Sequence, residues 1–292
     1  MDIIIAYVDG QDPVWQKDYE KYMNAPVLAK RFRDWGTLPY LFRGIQYRMP
    51  FIDNVYLVVS HESQVPQWVN RDEVRVVLHK DFIPQEYLPT FNSTTISLFL
   101  HRIPGLGEQY LYFNDDIFPV GDCRPEDYFK ENKVVIGISS HLIVSGMYKH
   151  HVKRSNQLAR KSLGKCRIPF FIRPQHSCIP MLKSECDKVF SEQEAEIRKS
   201  VSRVRSNDNL NMSLYMSYLY YQGKVINRRI PCKHVSMAAV TSSSIGSYIT
   251  SPSNSFVCIN DVSMSEEKYA EFREALITAF ESKFPIKSRF EK

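Results

Sequence analysis

Two adjacent carboxylates, Asp115 and Asp116, interrupt an apolar stretch of the sequence. An apolar run at 110–113 precedes Asn114 and the two aspartates, and apolar residues resume at 117. Neighbouring carboxylates repel each other and are costly to bury unless a cation or a strong hydrogen-bond network lies beside them. The pattern therefore indicates either a divalent cation site, since hard cations prefer carboxylate and carbonyl oxygens, or a turn in which the aspartates cap the next segment.

A second group of acidic residues lies near the start of the chain. Asp9, Gly10 and Asp12 follow an apolar run at 3–8. Gly10 and the neighbouring Pro13 are typical of a tight turn, so simple turn chemistry is an alternative to ligand binding here. The residue pattern alone leaves both interpretations open.

The apolar pattern predicts the elements that hold these two groups. Four short apolar runs in the first 115 residues are continuous rather than alternating, at 3–8, 54–59, 74–78 and 110–113. Such runs are typical of strands covered on both faces, as in a parallel sheet. Helical spacing at 36–48 and 91–103 separates them, with Asn92 or Ser93 as the N-cap of the second helix. We therefore predict an α/β fold with a mostly parallel sheet, and both acidic groups at the carboxyl ends of strands, where ligands bind.

The second half of the chain is more polar and more helical in pattern. Charged residues predict one helix at 191–205, and an amphipathic pattern predicts another at 206–223 that begins at a polar cap. The last helix is predicted to begin with a capping box at Ser263. Residues 241–255 are rich in Ser with Gly and Pro, which is typical of a surface loop or lid.

The overall composition narrows the class of protein. The chain has 292 residues, 43% of them hydrophobic, which is enough for a large core and excludes a disordered protein. The net charge of +6 suits a phosphorylated ligand or an anionic membrane surface, but it is too small and too dispersed to indicate nucleic acid. A local basic cluster at 149–167 is either a solvated helix face or a contact for phosphate or membrane.

Cysteine usage and the start of the chain predict the compartment. The six cysteines form no C-x-x-C pair and follow no zinc-ligand spacing, so we interpret them as reduced thiols that are mostly buried. The chain opens directly into a strand-like run, and no apolar run approaches the length of a membrane span. We therefore expect a cytoplasmic protein.

Six longer segments carry a family resemblance when they are taken together. They are IIIAYVDGQDPVW, RFRDWGTLPYLFRGI, IPQEYLPTFNSTTISLFLHRIPGLGEQYLYFNDDIF, RPQHSCIPMLKS, RVRSNDNL and FVCINDVSMSEEKYAEFREALITAFESKFPIKSRFE. In this order they resemble the four conserved regions of the Stealth family of sugar-phosphate transferases. That family includes bacterial capsular polysaccharide phosphotransferases and the animal lysosomal-enzyme N-acetylglucosamine-1-phosphotransferase. The resemblance spans residues 3–291 and is weakest at 136–170 and 225–255.

The resemblance implies a fold and a reaction. The fold is the Rossmann-like, GT-A-like type of nucleotide-sugar transferases with a helical insertion. The reaction is transfer of a hexose-1-phosphate from a UDP-sugar donor to a hydroxyl of a saccharide acceptor, which forms a phosphodiester and releases UMP in capsular or exopolysaccharide synthesis. Mg²⁺ or Mn²⁺ would neutralise the pyrophosphate of the donor. The alternatives are a metal-dependent glycosyltransferase that releases UDP and a non-catalytic module that binds glycans or nucleotide sugars.

The resemblance also assigns roles to individual residues. In the expected catalytic set of His176, Arg205 and Asp116, the arginine contacts the transferred phosphate and the histidine takes the proton of the acceptor hydroxyl. The expected substrate-binding residues are Asp9, Gly10, Asp12, Arg31, Asn92, Arg102 and Asn114. The expected metal ligands are Asp115, Asp116, Asn260 and Asp261.

Several of these roles have alternatives. Arg205 could form an ion pair with Asp208 instead. Asp116 or Asp9 could be the general base, and His176 would then hold the phosphate as an imidazolium. Asn260 and its neighbour Asp261 could simply end a strand.

The change in residue pattern near residue 136, together with the resemblance, predicts how the chain is divided. We expect a nucleotide-sugar-binding core at 1–135, a mainly helical insertion at 136–255 that holds acceptor and phosphate residues, and a strand and helix at 256–292 that return to the core. The resemblance leaves open a peripheral association with a membrane-bound polysaccharide assembly complex at the inner face of the bacterial membrane. It does not predict an oligomeric state.

Overall fold

Strands and helices alternate through the first part of the chain, as the apolar pattern predicts. The computed structural model describes residues 1–23 and 33–292. The elements of this part are β1 (Asp2–Ala6), α1 (Pro13–Met23), α2 (Leu38–Arg48), β2 (Asn54–Val59), β3 (Val74–Leu78), α3 (Ser93–Phe99), β4 (Gln109–Asn114), β5 (Ile117–Pro119), β6 (Phe129–Lys130) and β7 (Lys133–Val135). The four predicted strands and both predicted helices are present.

The second part of the chain is rich in helices. Its elements are β8 (Ile138–His141), α4 (Gly146–Ser162), β9 (Phe171–Pro174), β10 (Ile179–Leu182), α5 (Lys183–Glu192), α6 (Glu194–Ser200), α7 (Ser213–Tyr221), β11 (Val225–Ile226), β12 (Cys232–Ser236), α8 (Ser242–Thr250), β13 (Phe256–Asn260) and α9 (Glu266–Lys283). None of the helices within the described ranges is both long and apolar enough to cross a membrane.

A five-stranded sheet in the order β10-β4-β1-β2-β3 forms the centre of the described structure. β1 pairs in parallel with β2 and β4, β2 pairs in parallel with β3, and β10 runs antiparallel to β4 at one edge. Ile3, Ile4 and Ile5 of β1 are fully buried, which explains why this strand is continuously apolar rather than alternating. The predicted α/β fold with a mostly parallel sheet is confirmed. The order β3-β2-β1-β4 is that of nucleotide-binding sheets.

A three-stranded sheet returns the C-terminal part of the chain to this centre. β13 runs parallel to β12 and antiparallel to β5, with Cys258 opposite Ile117. Because β5 begins directly after Asp116, this pairing puts the end of β13 beside the end of β4. The backbone N–H of Ile259 donates to the carbonyl of Asp116 at 2.9 Å.

Helix α9 packs across α2 and β5 through aromatic side chains. The ring of Phe280 lies 4.6 Å from the ring of Phe118 and stacks on the ring of Tyr40 at 5.4 Å, measured between centroids. Near the C-terminus, the guanidinium of Arg43 donates two hydrogen bonds of 2.9 and 3.0 Å to the carboxylate of Glu291, and both side chains are buried. A buried ion pair is tolerated when both partners are hydrogen-bonded in this way, and this one holds the end of the chain against α2.

Several helix ends differ from the predicted positions because polar side chains bind the backbone elsewhere. The predicted helix at 191–205 is divided into α5 and α6, with Gln193 between them. The predicted helix at 206–223 starts only at Ser213, since the residues before it form a polar network in which Asn209 donates to the carbonyl of Ser200 at 2.6 Å. The cap of α9 is Ser265, not Ser263.

The Ser-rich segment at 241–255 is not a loop throughout, because residues Ser242–Thr250 form α8. Ile245 and Ile249 lie four residues apart, which puts both on one face of the helix, and both are fully buried. A Cβ atom added at Gly246 would lie 3.4 Å from the Cβ of Ala279, so α8 packs closely against α9. Two buried isoleucines outweigh the low helix propensity of the serines.

Candidate active site

Several strand ends meet at one edge of the central sheet. Because β1 and β4 are parallel, Tyr7 after β1 and Asn114 at the end of β4 lie at the same edge. β10 runs antiparallel to β4 from Ile179, so the loop that carries His176 enters at this edge. β13 arrives beside Asp116 through its pairing with β5. The sheet thereby brings together residues that are far apart in the sequence.

Three of the cavities in the described part of the chain meet at this edge. The acidic cavity, of about 360 Å³, is lined by Asp115, Asp116 and Asp261 among others. The histidine cavity, of about 200 Å³, contains His176. The strand-end cavity, of about 270 Å³, lies over the ends of β1 and β2. Ser93, Asn114 and Arg205 line all three, so these residues mark the point where the cavities join.

Asp115 and Asp116 form the turn between β4 and β5, and both side chains are half-buried. Burial, followed by the charge of Asp116, raises the pKa of Asp115 to about 7. Burial also raises the pKa of Asp116 to about 6, although a hydrogen bond from the thiol of Cys258 opposes the shift. Without a cation, the two carboxylates are therefore poorly stabilised in their charged form near neutral pH.

This acidic cluster fits a hard divalent cation. Oδ1 of Asp116 is buried and has no hydrogen-bond partner among the described residues. Asp261 lines the same cavity, and Oδ1 of Asn260 lies 3.8 Å from the sulfur of Cys258, which itself lies next to Asp116. Carboxylate and amide oxygens are the ligands that Mg²⁺ and Mn²⁺ prefer in proteins. The four predicted metal ligands are thus brought to one place.

The sulfur of Cys258 lies between His176 and Asp116. Nδ1 of His176 lies 3.3 Å from this sulfur, and Oδ2 of Asp116 lies 3.7 Å from it. Burial, followed by the nearby charges of His234 and Arg173, lowers the pKa of His176 to about 4. The imidazole is therefore neutral at pH 7 and has a lone pair that can accept a proton.

A second group of ligand-type side chains lies beside the acidic cluster. One ligand atom from each of His176, His234 and Cys258 lies within 4.8 Å of the others. Nε2 of His234 donates to the carbonyl of His176 at 2.9 Å, and because a carbonyl can only accept, the lone pair of a neutral His234 is on Nδ1. Imidazole and thiolate ligands suit Zn²⁺ better than Mg²⁺. The two neighbouring clusters therefore differ in the metal that they can hold.

Contacts from α3 and α4 hold the segment that carries Arg205. Nη2 of Arg205 donates to the hydroxyl of Ser93, the first residue of α3. Nε2 of His151 on α4 donates to the carbonyl of Ser206 at 2.6 Å. The guanidinium is thereby placed where the three cavities join.

Asn92 is fully buried and connects α3 to the segment that carries Arg205. Its Oδ1 accepts the N–H of Thr94 at 3.1 Å, which is the predicted N-cap of α3. Its Nδ2 donates to the carbonyl of Ser202 and to Oδ1 of Asn209, at 3.1 and 3.0 Å. Asn92 therefore holds both Ser93 and the chain before Arg205, although it lines none of the three cavities.

The carboxylates of the predicted N-terminal turn accept hydrogen bonds from the turn and from Ser63. Oδ1 of Asp9 accepts the N–H of Gln11 at 2.8 Å, and Gly10 is buried. Oδ2 of Asp12 accepts the hydroxyl of Ser63 at 2.6 Å, and this carboxylate is buried. Asp9 lines a separate cavity that adjoins the acidic one through Tyr7 and Asp34, among others. Asp9 therefore lies near the site, whereas the buried Asp12 stabilises the turn through its hydrogen bond with Ser63.

Two arginines that are predicted to bind substrate are not observed at the three cavities. Arg31 lies outside the described residues. The guanidinium of Arg102 lies over the ring of Phe190 at 5.7 Å and lines none of the three cavities. Asp208, the alternative partner considered for Arg205, forms an ion pair with Arg154 at 3.4 Å.

Several lining residues were not predicted from the sequence. Arg33, Asp34 and Trp35 line the acidic cavity, although they lie within a family-like segment that was singled out only for Arg31. Cys258 lines none of the three cavities but contacts both Asp116 and His176, whereas its sequence context predicts only a buried thiol. Cys258 precedes Asn260 by two residues in a strand, so both side chains lie on the same face of that strand. This spacing is the sequence feature that indicates a position for Cys258 beside the site.

Comparison with known proteins places this chain in a family. The model of Stealth protein CR2, conserved region 2, matches residues 31–136. The capsular polysaccharide phosphotransferase WcwK of Streptococcus pneumoniae is 29% identical, with 100% of this chain and 99% of that protein covered. The receptor polysaccharide phosphotransferase WefC of Streptococcus oralis is 30% identical over 77% of this chain and 79% of that protein.

Two further similarities complete the comparison. The exopolysaccharide phosphotransferase cps2G of Lactiplantibacillus plantarum is 28% identical, with 100% of this chain and 96% of that protein covered. A crystal structure of the galactosyltransferase LgtC with donor and acceptor sugar analogs has 13% identity and a TM-score of 0.47, and the match covers 99% of this chain and 98% of that one. The family resemblance of the six sequence segments is confirmed by the relatives: the chain belongs to the Stealth family and is an enzyme of the phosphotransferase type.

Proposed function

We propose that this enzyme transfers a hexose-1-phosphate from a UDP-sugar to a hydroxyl of a saccharide acceptor, forms a phosphodiester and releases UMP in capsular or exopolysaccharide synthesis. The observation that carries the proposal is the junction of the three cavities. Arg205 lines all three, four aspartates line the acidic cavity, and the neutral imidazole of His176 lines the histidine cavity. Phosphoryl transfer needs this combination of cation-binding, phosphate-binding and proton-accepting groups around one point.

The acidic cluster is the proposed cation site. Asp115, Asp116, Asn260 and Asp261 would hold Mg²⁺ or Mn²⁺, which would neutralise charge on the pyrophosphate. The buried and unpartnered Oδ1 of Asp116 supports this assignment, because a carboxylate oxygen in such a position is costly unless it binds a cation. The raised pKa of both aspartates supports it as well.

The donor suits the acidic and strand-end cavities. Phe91 lines the strand-end cavity and is half-buried, with its ring edge-on to the buried Trp15, so the flat ring of Phe91 suits the uracil base of a nucleotide. The pyrophosphate would then lie near Asp115, which lines both cavities. Arg205 would donate to the transferred phosphate through its planar guanidinium, which stays charged throughout the reaction.

The acceptor suits the histidine cavity. Its hydroxyl oxygen would attack the phosphorus that carries the sugar, and the bond from that phosphorus to the bridging oxygen of the pyrophosphate would break. UMP would leave with the bridging oxygen. The hydroxyl proton would pass to His176, whose lowered pKa keeps it neutral and able to accept at pH 7.

The identity of the nucleotide product tests the proposal. The purified enzyme is incubated with Mg²⁺, a panel of UDP-sugars and soluble saccharide acceptors, and nucleotides are separated by chromatography. We expect UMP together with a phosphodiester-linked product, and neither from Asp116→Asn. Release of UDP with transfer of the sugar alone would instead establish a glycosyltransferase and overturn the proposal.

A further inference from the structure

Positive charge is concentrated in one part of the chain. Residues 132–184 contain ten of the 38 Lys and Arg residues and none of the 32 Asp and Glu residues. This segment therefore carries +10, while the rest of the chain carries a net −4. Arg154 and Lys183 form ion pairs with Asp208 and Asp187, which lie outside the segment, and the positive charge that remains attracts polyanions.

The same segment contains a group of exposed apolar side chains. Of the eleven large hydrophobic residues that are exposed in the described part of the chain, five belong to it: Leu142, Ile143, Met147, Tyr148 and Phe170. Ile143 is 74% exposed and Phe170 is 51% exposed. Single exposed apolar residues are common, but a group of them marks an interaction site.

The fold brings these side chains to one place. β8 and β9 are antiparallel, with His141 opposite Phe171, so Leu142 and Phe170 lie at the same end of the strand pair. Helix α4 begins at Gly146, three residues after Ile143. The apolar residues at the end of the strand pair and those in the first turn of α4 therefore form one patch.

Basic side chains lie along α4 and in the chain that follows it. The inner side of the helix is buried against α7, with Nδ2 of Asn156 donating to the hydroxyl of Ser217 at 2.9 Å. Lys161, Lys165 and Arg167 are exposed at the far end of the helix and in the chain after it. Lys149 and Lys153 are half-buried along the helix.

We propose that this surface binds an anionic lipid bilayer. It consists of the apolar residues Leu142, Ile143, Met147, Tyr148 and Phe170 and the basic residues Lys149, Lys153, Lys161, Lys165 and Arg167, and we call it the basic-apolar surface. Apolar side chains that project from a strand end can enter the boundary between headgroups and acyl chains, while the basic residues along α4 and after it contact anionic headgroups. A protein partner would need a matching pocket for the projecting residues, whereas a fluid bilayer accommodates them.

Docking in this way would place the histidine cavity at the membrane. Tyr148 belongs both to the basic-apolar surface and to the lining of that cavity, and His151 from the same helix lines the cavity too. Resting on the proposed function, this orientation selects acceptors that are held at a membrane surface, because a membrane-held saccharide would reach His176 without leaving the bilayer. Lipid binding itself does not depend on that function.

Vesicle co-sedimentation tests the proposal. The full chain is mixed with vesicles of phosphatidylcholine alone or with phosphatidylglycerol added. We expect binding to the anionic vesicles only, with weakening at high salt, since screening reduces headgroup attraction. The double variants Ile143→Ser/Phe170→Ser and Lys161→Glu/Lys165→Glu should each bind at least tenfold more weakly. Ile286→Ser and Lys80→Glu, exposed residues outside the surface, are the matched controls and should bind like the parent.

Other outcomes overturn the proposal. Equal binding of the parent to both vesicle types, absence of binding, or unchanged binding of both double variants would each do so. A dimer in sedimentation velocity that Ile143→Ser/Phe170→Ser dissociates would assign the surface to a second copy of the chain. Without vesicles, the parent and Ile143→Ser/Phe170→Ser should release UMP at the same rate. If neither protein releases UMP, the proposed function fails, and this result is independent of lipid binding.

Discussion

Oδ2 of Asp116 lies 3.7 Å from Sγ of Cys258, and that sulfur is the atom that separates the acidic cluster from His176. Burial, followed by the charge of Asp116, raises the pKa of the Cys258 thiol well above its usual value, so the thiol stays protonated and can donate to the carboxylate. The proposed cation site and the proposed proton acceptor are thus neighbours through one buried side chain. A substitution in the acidic cluster is therefore expected to alter the environment of His176, and a substitution of His176 to alter that of Asp116.

We expect Zn²⁺ to inhibit the enzyme by binding His176, His234 and Cys258. Zn²⁺ favours imidazole and thiolate ligands, and a bound Zn²⁺ would keep the imidazole of His176 from accepting the proton. His234→Gln should raise the Zn²⁺ concentration for half-inhibition roughly tenfold or more, because one ligand is lost. His150→Gln is the matched control. Co²⁺ gives an independent readout: a thiolate-to-cobalt absorption band that Cys258→Ser removes. Its persistence in that variant would contradict the assignment.

We expect Asp115→Asn to stabilise the cation-free protein at pH 8 but not at pH 4. Burial and Asp116 raise the pKa of Asp115 to about 7, so the favourable contribution of its protonated form is complete only below about pH 4 and is lost as the pH rises through 7. The amide of the variant does not ionise, so the variant avoids this decrease in the free energy of unfolding, which is on the order of 1–3 kcal/mol at pH 8. Urea unfolding with a chelator present, at both pH values, measures the difference. The exposed Asp72→Asn should show no such pH dependence.

We expect Asp116→Asn to abolish turnover while the fold is retained. The variant keeps the size of the side chain but removes a charged cation ligand, so activity should fall by at least roughly 10²-fold. UMP release in Mg²⁺ and circular dichroism are measured together, with Asp122→Asn on the surface as the control. Full activity of the parent in excess chelator would show that no divalent cation is needed.

We expect Arg205→Lys and His176→Ala to lower kcat far more than they change KM for the UDP-sugar. Lysine keeps the charge of Arg205 but loses the two-pronged donor, and alanine removes the proton acceptor, so each change should cost about 10²-fold or more in kcat. Interactions made mainly in the transition state have this kinetic signature. Arg198→Lys, an exposed arginine, is the control. A raised KM with unchanged kcat would reassign both residues to ground-state binding.

We expect Asn92→Ser to lower kcat with only a small loss of stability, and Asn92→Ala to lower both. Serine can still cap α3, but it cannot bridge to Ser202 and Asn209 as the amide does. Loss of the cap in the alanine variant should cost about 1 kcal/mol more in the free energy of unfolding. Thermal unfolding and UMP release separate the two effects. Wild-type kcat in Asn92→Ser would mean that the bridge does not position Arg205.

The residue pattern alone predicts the central sheet and the family. Continuous apolar runs predict the strands β1 to β4, because residues buried on both faces must be apolar at every position. The cap at Asn92 and the carboxylates after β4 are also visible, since both depend on neighbours within a few residues. The roles of Asp115 and Asp116 stay open from pattern alone, as a turn and a cation site need the same residue types there.

Which of these residues come into contact depends on the tertiary structure. Cys258 lies between His176 and Asp116 because β13 pairs with β5 and β10 with β4, and such pairings depend on packing over more than a hundred residues of chain. The helix at Ser242–Thr250 was missed for the same reason, since Ile245 and Ile249 stabilise it only once α9 covers them. Local propensity is a weak guide wherever burial against a distant element supplies most of the stabilising free energy.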